Sequence, residues 1–195
     1  PPEQPTLTGL DKESIKTRGG ILTDESGQFY TDGKVAIRGK PPAKLAIAPQ
    51  HPNIQALIDS SLRDIQPARV IGITEPLQVG STAKVRDALV IIETDRHRAI
   101  AMQKETFDHI ASRYPNAYIE ASSPSTPIVF KEGDEVVAVG MPFYMSDYNP
   151  EMKKALAKVL SESGSYNRQE RLPSQRPSEQ PPEPRIPDEP IRQIT

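Results

Sequence analysis

Between residues 21 and 145 the chain is a series of short apolar runs cut by tight-turn sequences, and that punctuation constrains its fold more than any other feature. Asp32-Gly33 is a strong hairpin dipeptide, Ser26-Gly27 marks a turn just before it, and Gly133-Asp134 closes another hairpin. Strands joined this way pair antiparallel, because a parallel pair needs a crossover of about a dozen residues or more. The expected class is therefore α+β, not a doubly wound parallel sheet. Strands are expected over 21–38 as a short pair, then over 69–79, 84–93, 97–102, 117–121, 127–131 and 135–144.

Helical spacing is confined to three places. Ile54, Leu57, Ile58, Leu62 and Ile65 form an amphipathic stripe over 52–65, with Pro67 as its stop. Phe107, Ile110, Ala111 and Tyr114 define a second helix over 104–114. Asn149-Pro150-Glu151 is a helix start: a capping side chain, a proline in the first turn, and an acid at the positive end of the dipole. That helix carries Met152, Leu156, Val159 and Leu160 and ends near Gly164. The prolines at 41, 42 and 49 make 40–49 an extended connector.

These signals divide the chain into a flexible lead-in (1–20), an antiparallel sheet with two packed helices (21–147), a C-terminal helix (148–164) and a disordered proline-rich tail (165–195). The tail assignment follows from composition. Of 195 residues 21 are proline, and few apolar residues lie beyond 166 to offset the entropy of ordering.

Charge and cysteine content narrow the function classes. With 24 basic and 26 acidic groups the formal charge is -2, so the chain lacks the basic excess of a general nucleic-acid binder. The absence of cysteine excludes disulfides, thiolate nucleophiles and cysteine-ligated metals, and fits a reducing, cytoplasmic location. No apolar run reaches the roughly 18 residues of a membrane span, so no membrane partner is expected.

Candidate chemistry is sparse. His51, His97 and His109 have no partner at metal-ligand spacing, and His109 is expected at the surface of its helix. Glu132, Asp134 and Glu135 read as a solvated turn, and turn geometry accounts for Asp32. Arg18-Gly19-Gly20 and Gly39-Lys40 lack the context of a phosphate loop. No catalytic residue, metal or cofactor is expected. Arg96, Arg98, Lys104 and Arg113, with Lys84 and Arg86 upstream, interleave with Glu93, Asp95, Glu105 and Asp108. They read either as a mixed surface or as a nucleic-acid face. Residues 139–145 (Val-Gly-Met-Pro-Phe-Tyr-Met) offer soft and aromatic side chains where a proline ends a strand. They suit either a docking surface or packing beneath Leu156 and Leu160.

Two stretches also carry a family resemblance. Residues 104–145, with Pro127-Ile128-Val129 and then Met141-Pro142-Phe143-Tyr144-Met145, resemble the closing repeat of the bacterial DNA polymerase III sliding clamp. Phe29-Tyr30-Thr31-Asp32-Gly33-Lys34-Val35-Ala36 looks like that family's Thr-Asp-Gly-His-Arg-Leu-Ala strand turn. The resemblance implies a clamp-like α+β repeat in which Met141, Pro142, Phe143 and Met145 line a pocket for short peptide motifs of protein partners. It also implies helices facing DNA, which favours the nucleic-acid reading of Arg96, Arg98, Lys104 and Arg113, and assembly as a homo-oligomer. The departures are a single repeat, helices poor in basic residues, and a chain that continues past the Met-Pro end. The functional expectation is a non-catalytic binding module in DNA replication or in maintenance of a phage or plasmid element. The alternative is a structural or assembly protein of a phage-like particle, tethered by its proline-rich ends.

Overall fold

In the computed structural model the described residues are 9–78, 86–143 and 149–164. The chain begins there with a helix, α1 (Lys12–Thr17), where a flexible lead-in was expected. Asp11 caps it by accepting the Ser14 N–H at 3.2 Å, and Leu10 and Ile15 are buried in the main core. Residues 9–20 thus belong to the body. A helix this short shows no apolar periodicity in sequence, which is why composition alone misread it.

Three strands follow rather than two: β1 (Leu22–Thr23), β2 (Phe29–Thr31) and β3 (Val35–Arg38), each antiparallel to the next. The Asp32 carboxylate locks the second turn, accepting N–H bonds from Lys34 at 2.8 Å, Val35 at 2.9 Å and Asp11 at 2.7 Å. Helix α2 (Ile54–Ser61) is shorter than its stripe suggested. Asp64 takes a left-handed φ of 54° and turns the chain into β4 (Gln66–Ile73). Pro67, expected as a helix stop, lies inside that strand opposite Glu120.

Beyond it the strands expected over 69–79 and 84–93 are each broken in two, the one expected over 135–144 ends at Gly140, and the others follow in the expected order. β5 (Leu77–Gln78) pairs with β6 (Arg86–Asp87), then come β7 (Leu89–Thr94), β8 (Ala99–Gln103) and α3 (Lys104–Arg113). Strands β9 (Tyr118–Ala121), β10 (Ile128–Glu132) and β11 (Glu135–Gly140) precede α4 (Pro150–Glu162), which Asn149 caps through the Met152 N–H at 2.8 Å. The tail at 165–195 lies outside the described residues.

The fold is α+β, built on one large antiparallel sheet in the order β1-β2-β3-β11-β10-β9-β4-β7-β8. The sheet curls until its two ends of interest meet. After β11 the Met141 N–H donates to the Lys34 carbonyl at 2.8 Å, and the Phe143 N–H donates to the Ala101 carbonyl of β8 at 2.9 Å. This strap joins β11 to β8 and closes six strands into a ring. At the opposite edge, Ile21 exchanges backbone bonds with Ala46 and Ala48, both at 2.8 Å, so the 40–49 connector covers β1.

Three cores result. Inside the curl, Val90, Ile92, Ile100, Met102, Ile128 and Phe130 meet Ile110 of α3. On the outer face, α2 sets Ile54 and Ile58 on Val129, Val136 and Val139. Further round, α4 sets Met152 and Val159 on Leu77, Leu89, Ile91 and Ala101. β7 is buried on both faces, which explains its continuous run of Leu, Val and Ile. Among the described residues no helix is long and apolar enough to cross a membrane.

Candidate functional site

The apolar run at 139–145 is divided among different environments. Val139 is buried against α2's cluster, and Gly140 ends β11. Met141 is half-buried, Pro142 is buried, and Phe143 is half-buried against the cluster that also receives Leu156 from α4. Met145 lies outside the described residues. The described part of the run is thus the strap that covers the free edge of β8, with its aromatic ring at the border of the α4 core.

The four candidate nucleic-acid cations do not gather. Arg96 and Arg98 sit in the β7–β8 turn, while Lys104 and Arg113 stand at opposite ends of α3. Each is engaged: Arg96 with Asp64 at 3.4 Å, Arg98 with the Ser122 carbonyl at 3.4 Å, and Lys104 with Asp108 one turn on. Arg113 donates to the Lys40 carbonyl at 3.1 Å and holds its guanidinium 5.2 Å from the Tyr30 ring centre. Arg86 pairs with Glu151 at 3.0 Å. Lys84 lies outside the described residues.

His109 corrects a sequence expectation. It is buried, with Nε2 at 3.1 Å from the Tyr30 hydroxyl. The cause is the folded N-terminal segment, which covers the side of α3 that would otherwise meet water. The Thr106 hydroxyl donates to the Gly9 carbonyl at 3.2 Å, and a side chain at Gly9 would come within 2.7 Å of His109 Cβ. The surface expectation for His109 rested on the usual exposure of such residues, and the segment that covers it lies about a hundred positions away in sequence. Burial pushes the Tyr30 hydroxyl up to about 12, with Arg113 acting in the opposite sense.

Sequence reasoning missed one ionic cluster. Glu93 on β7 is only 3% exposed, and its carboxylate lies 3.3 Å from Arg69 Nη2 on β4 and 3.2 Å from His97 Nδ1 in the following turn. His97 holds a left-handed φ of 58°, so the pairing fixes an unusual turn. Its signal was the direct register of Arg69 with Glu93, which only strand pairing reveals. His51 is exposed and meets the Thr23 carbonyl at 3.0 Å. Glu135 pairs with Arg38 at 3.1 Å in the exposed β10–β11 turn, as a solvated turn would. Among the described residues no group of three His, Asp or Glu side chains is placed to hold a metal ion.

A second surface stands out by what it leaves open. β4 pairs with β9 only from Gln66 to Ala68, whereas its pairing with β7 continues to Ile73. Val70 and Ile73 are 40% and 51% exposed, and Tyr118 at the start of β9 is 44% exposed.

Comparison of the chain with protein-family models, curated proteins and solved structures gave no match.

Proposed function

We propose that this chain is a non-catalytic binding module of sliding-clamp type, engaging a protein partner in DNA replication or in maintenance of a mobile element. The observation that carries the reading is the strap. Met141 and Phe143 are both only partly buried, Phe143 at the rim of the α4 cluster, in the segment that resembles the clamp's peptide-capturing end. A flexible thioether and an aromatic ring at such a rim suit an adaptable apolar contact. Assembly of several copies belongs to the same reading, since a single repeat makes no ring. DNA is the secondary partner: the four cations are dispersed and engaged, so they favour weak contact over a dedicated lining.

The test is anisotropy of fluorescein-labelled short peptides bearing Leu and Phe, titrated with the full chain. Phe143→Ala is expected to weaken binding at least tenfold while the thermal midpoint falls modestly. A large loss of midpoint with no peptide binding by the native chain would reduce the strap to packing. For DNA, unchanged gel mobility of a duplex at low salt would remove that partner.

A further inference from the structure

We infer that the β9-side edge of β4 from Val70 to Ile73 is a strand-addition site for an extended peptide with alternating β-branched residues and basic ends. Proteins usually cover their sheet edges. This one covers β8 with the strap at Phe143 and β1 with the connector at Ala46 and Ala48. Among the described residues of the large sheet, the stretch of β4 beyond Ala68 stays open: β9 stops there and no described residue bonds the outer side of the backbone.

Backbone direction can be read at Ile73. The Thr74 N–H donates to the Leu89 carbonyl at 2.9 Å, so Thr74 faces β7. Alternation then turns the N–H and carbonyl of Ile73 to the open side. The register shift between Val70 and Gly72 sets Val70 opposite Ile92 and Ile73 opposite Val90, so these two exposed side chains share one face and supply apolar surface for alternate residues of an incoming strand.

Charge selects the occupant. The nearby cations are committed, Arg69 to Glu93 at 3.3 Å, Lys131 to Glu120 at 2.7 Å, and Arg86, which lies on the Pro76 carbonyl beside Glu75, to Glu151 at 3.0 Å. Glu75 is exposed at one end of the open stretch. At the other, the Tyr118 hydroxyl donates to the Gly133 carbonyl at 2.7 Å, which draws the turn bearing Glu132 and Asp134 beside the start of β9. A strand with lysines at its ends meets these acids. A second copy would present the same acids to them and would bring its own β9 into the space beside Arg69.

The inference concerns a surface separate from the strap, and the experiment keeps the two apart. Fluorescein-labelled Lys-Val-Thr-Val-Thr-Val-Lys is titrated into the full chain beside Glu-Val-Thr-Val-Thr-Val-Glu, with amide hydrogen exchange followed on the complex. The basic peptide is expected to bind at least tenfold more tightly than the acidic one and to slow exchange of the Ile73 amide at least tenfold. Ile73→Pro removes the donor and should abolish binding with the thermal midpoint nearly unchanged, since a proline on an open edge breaks no ladder bond. Ile73→Thr keeps the backbone and should weaken binding several-fold, which covers the case in which the proline variant does not fold. Phe143→Ala should bind the basic peptide as the native chain does. The inference is overturned by equal binding of the two peptides, by no slowing at Ile73, or by loss of binding in Phe143→Ala. Protection of Ile73 without peptide in a dimer measured by light scattering would also overturn it, in favour of a second copy.

Discussion

At the scale of single residues, two glycines report how closely the layers approach. A Cβ at Gly72 would lie 2.5 Å from Val159 Cγ1, and one at Gly140 would lie 2.5 Å from Met102 Cε. The outcomes should differ, because valine is stiff at χ1 and methionine bends. Overpacking costs about 1–3 kcal/mol, more than the roughly 0.4–1 kcal/mol an alanine gains by restricting the unfolded chain. Gly72→Ala is expected to lower the urea midpoint clearly, with Val159→Ala recovering part of the loss in the double variant. Gly140→Ala should cost less. Tyr30 gives a pH prediction. Its folded value of about 12 exceeds the ordinary 10, so the folded state keeps the proton longer. The stability it contributes is complete below pH 10 and is lost as pH rises from there through 12. Urea unfolding between about pH 9 and pH 11 should show a fall that Tyr30→Phe reduces. Legibility at this scale was uneven. Asp32 was readable because a turn aspartate acts on its own neighbours, whereas the burial of His109 depends on Gly9, which is far away in sequence.

At the scale of elements, local chemistry told most and pairing told least. The start of α4 was legible because Asn149, Pro150 and Glu151 act within one turn. Both Gly-Asp-type hairpins appeared where the dipeptides stood. What stayed hidden were partners distant in sequence: β3 beside β11, β4 between β9 and β7, and the strap bonding Ala101. The strap's ambiguity was of the same kind, since Met141, Pro142 and Phe143 read alike as docking surface or as packing until α4 had a position. Helix α4 depends on that position. At 13 residues it is near the length at which an isolated helix is marginal in water. Met152, 2% exposed, is its chief anchor. Met152→Ala should cost about 2–5 kcal/mol at the α4 contact. Hydrogen exchange should show α4 amides losing protection far more than those of β10. Equal loss in both would mean that α4 does not open by itself.

At the scale of the whole molecule, three cores share one sheet, and the sharing decides how it unfolds. Ile91 and Ile92 are consecutive in β7 and both are fully buried, yet Ile91 packs in the α4 cluster and Ile92 inside the curl. Val129 and Phe130 divide in the same way on β10, between the α2 cluster and the inner core. No core can lose its strands without removing a wall from another, so the body should unfold as one unit despite its three apolar centres. Ile91→Ala and Ile92→Ala should each cost about 2–5 kcal/mol and displace the same transition. The probes are far-UV circular dichroism for the sheet and, with the other five tyrosines replaced by phenylalanine, the fluorescence of Tyr30 for the inner core, since the chain has no tryptophan and Tyr30 lies within that core. Coincident curves in both variants are expected. A Ile91→Ala chain that loses dichroism while its Tyr30 environment persists would show that the α4 side is a separate unit, and the shared strands would then be a scaffold without cooperative consequence.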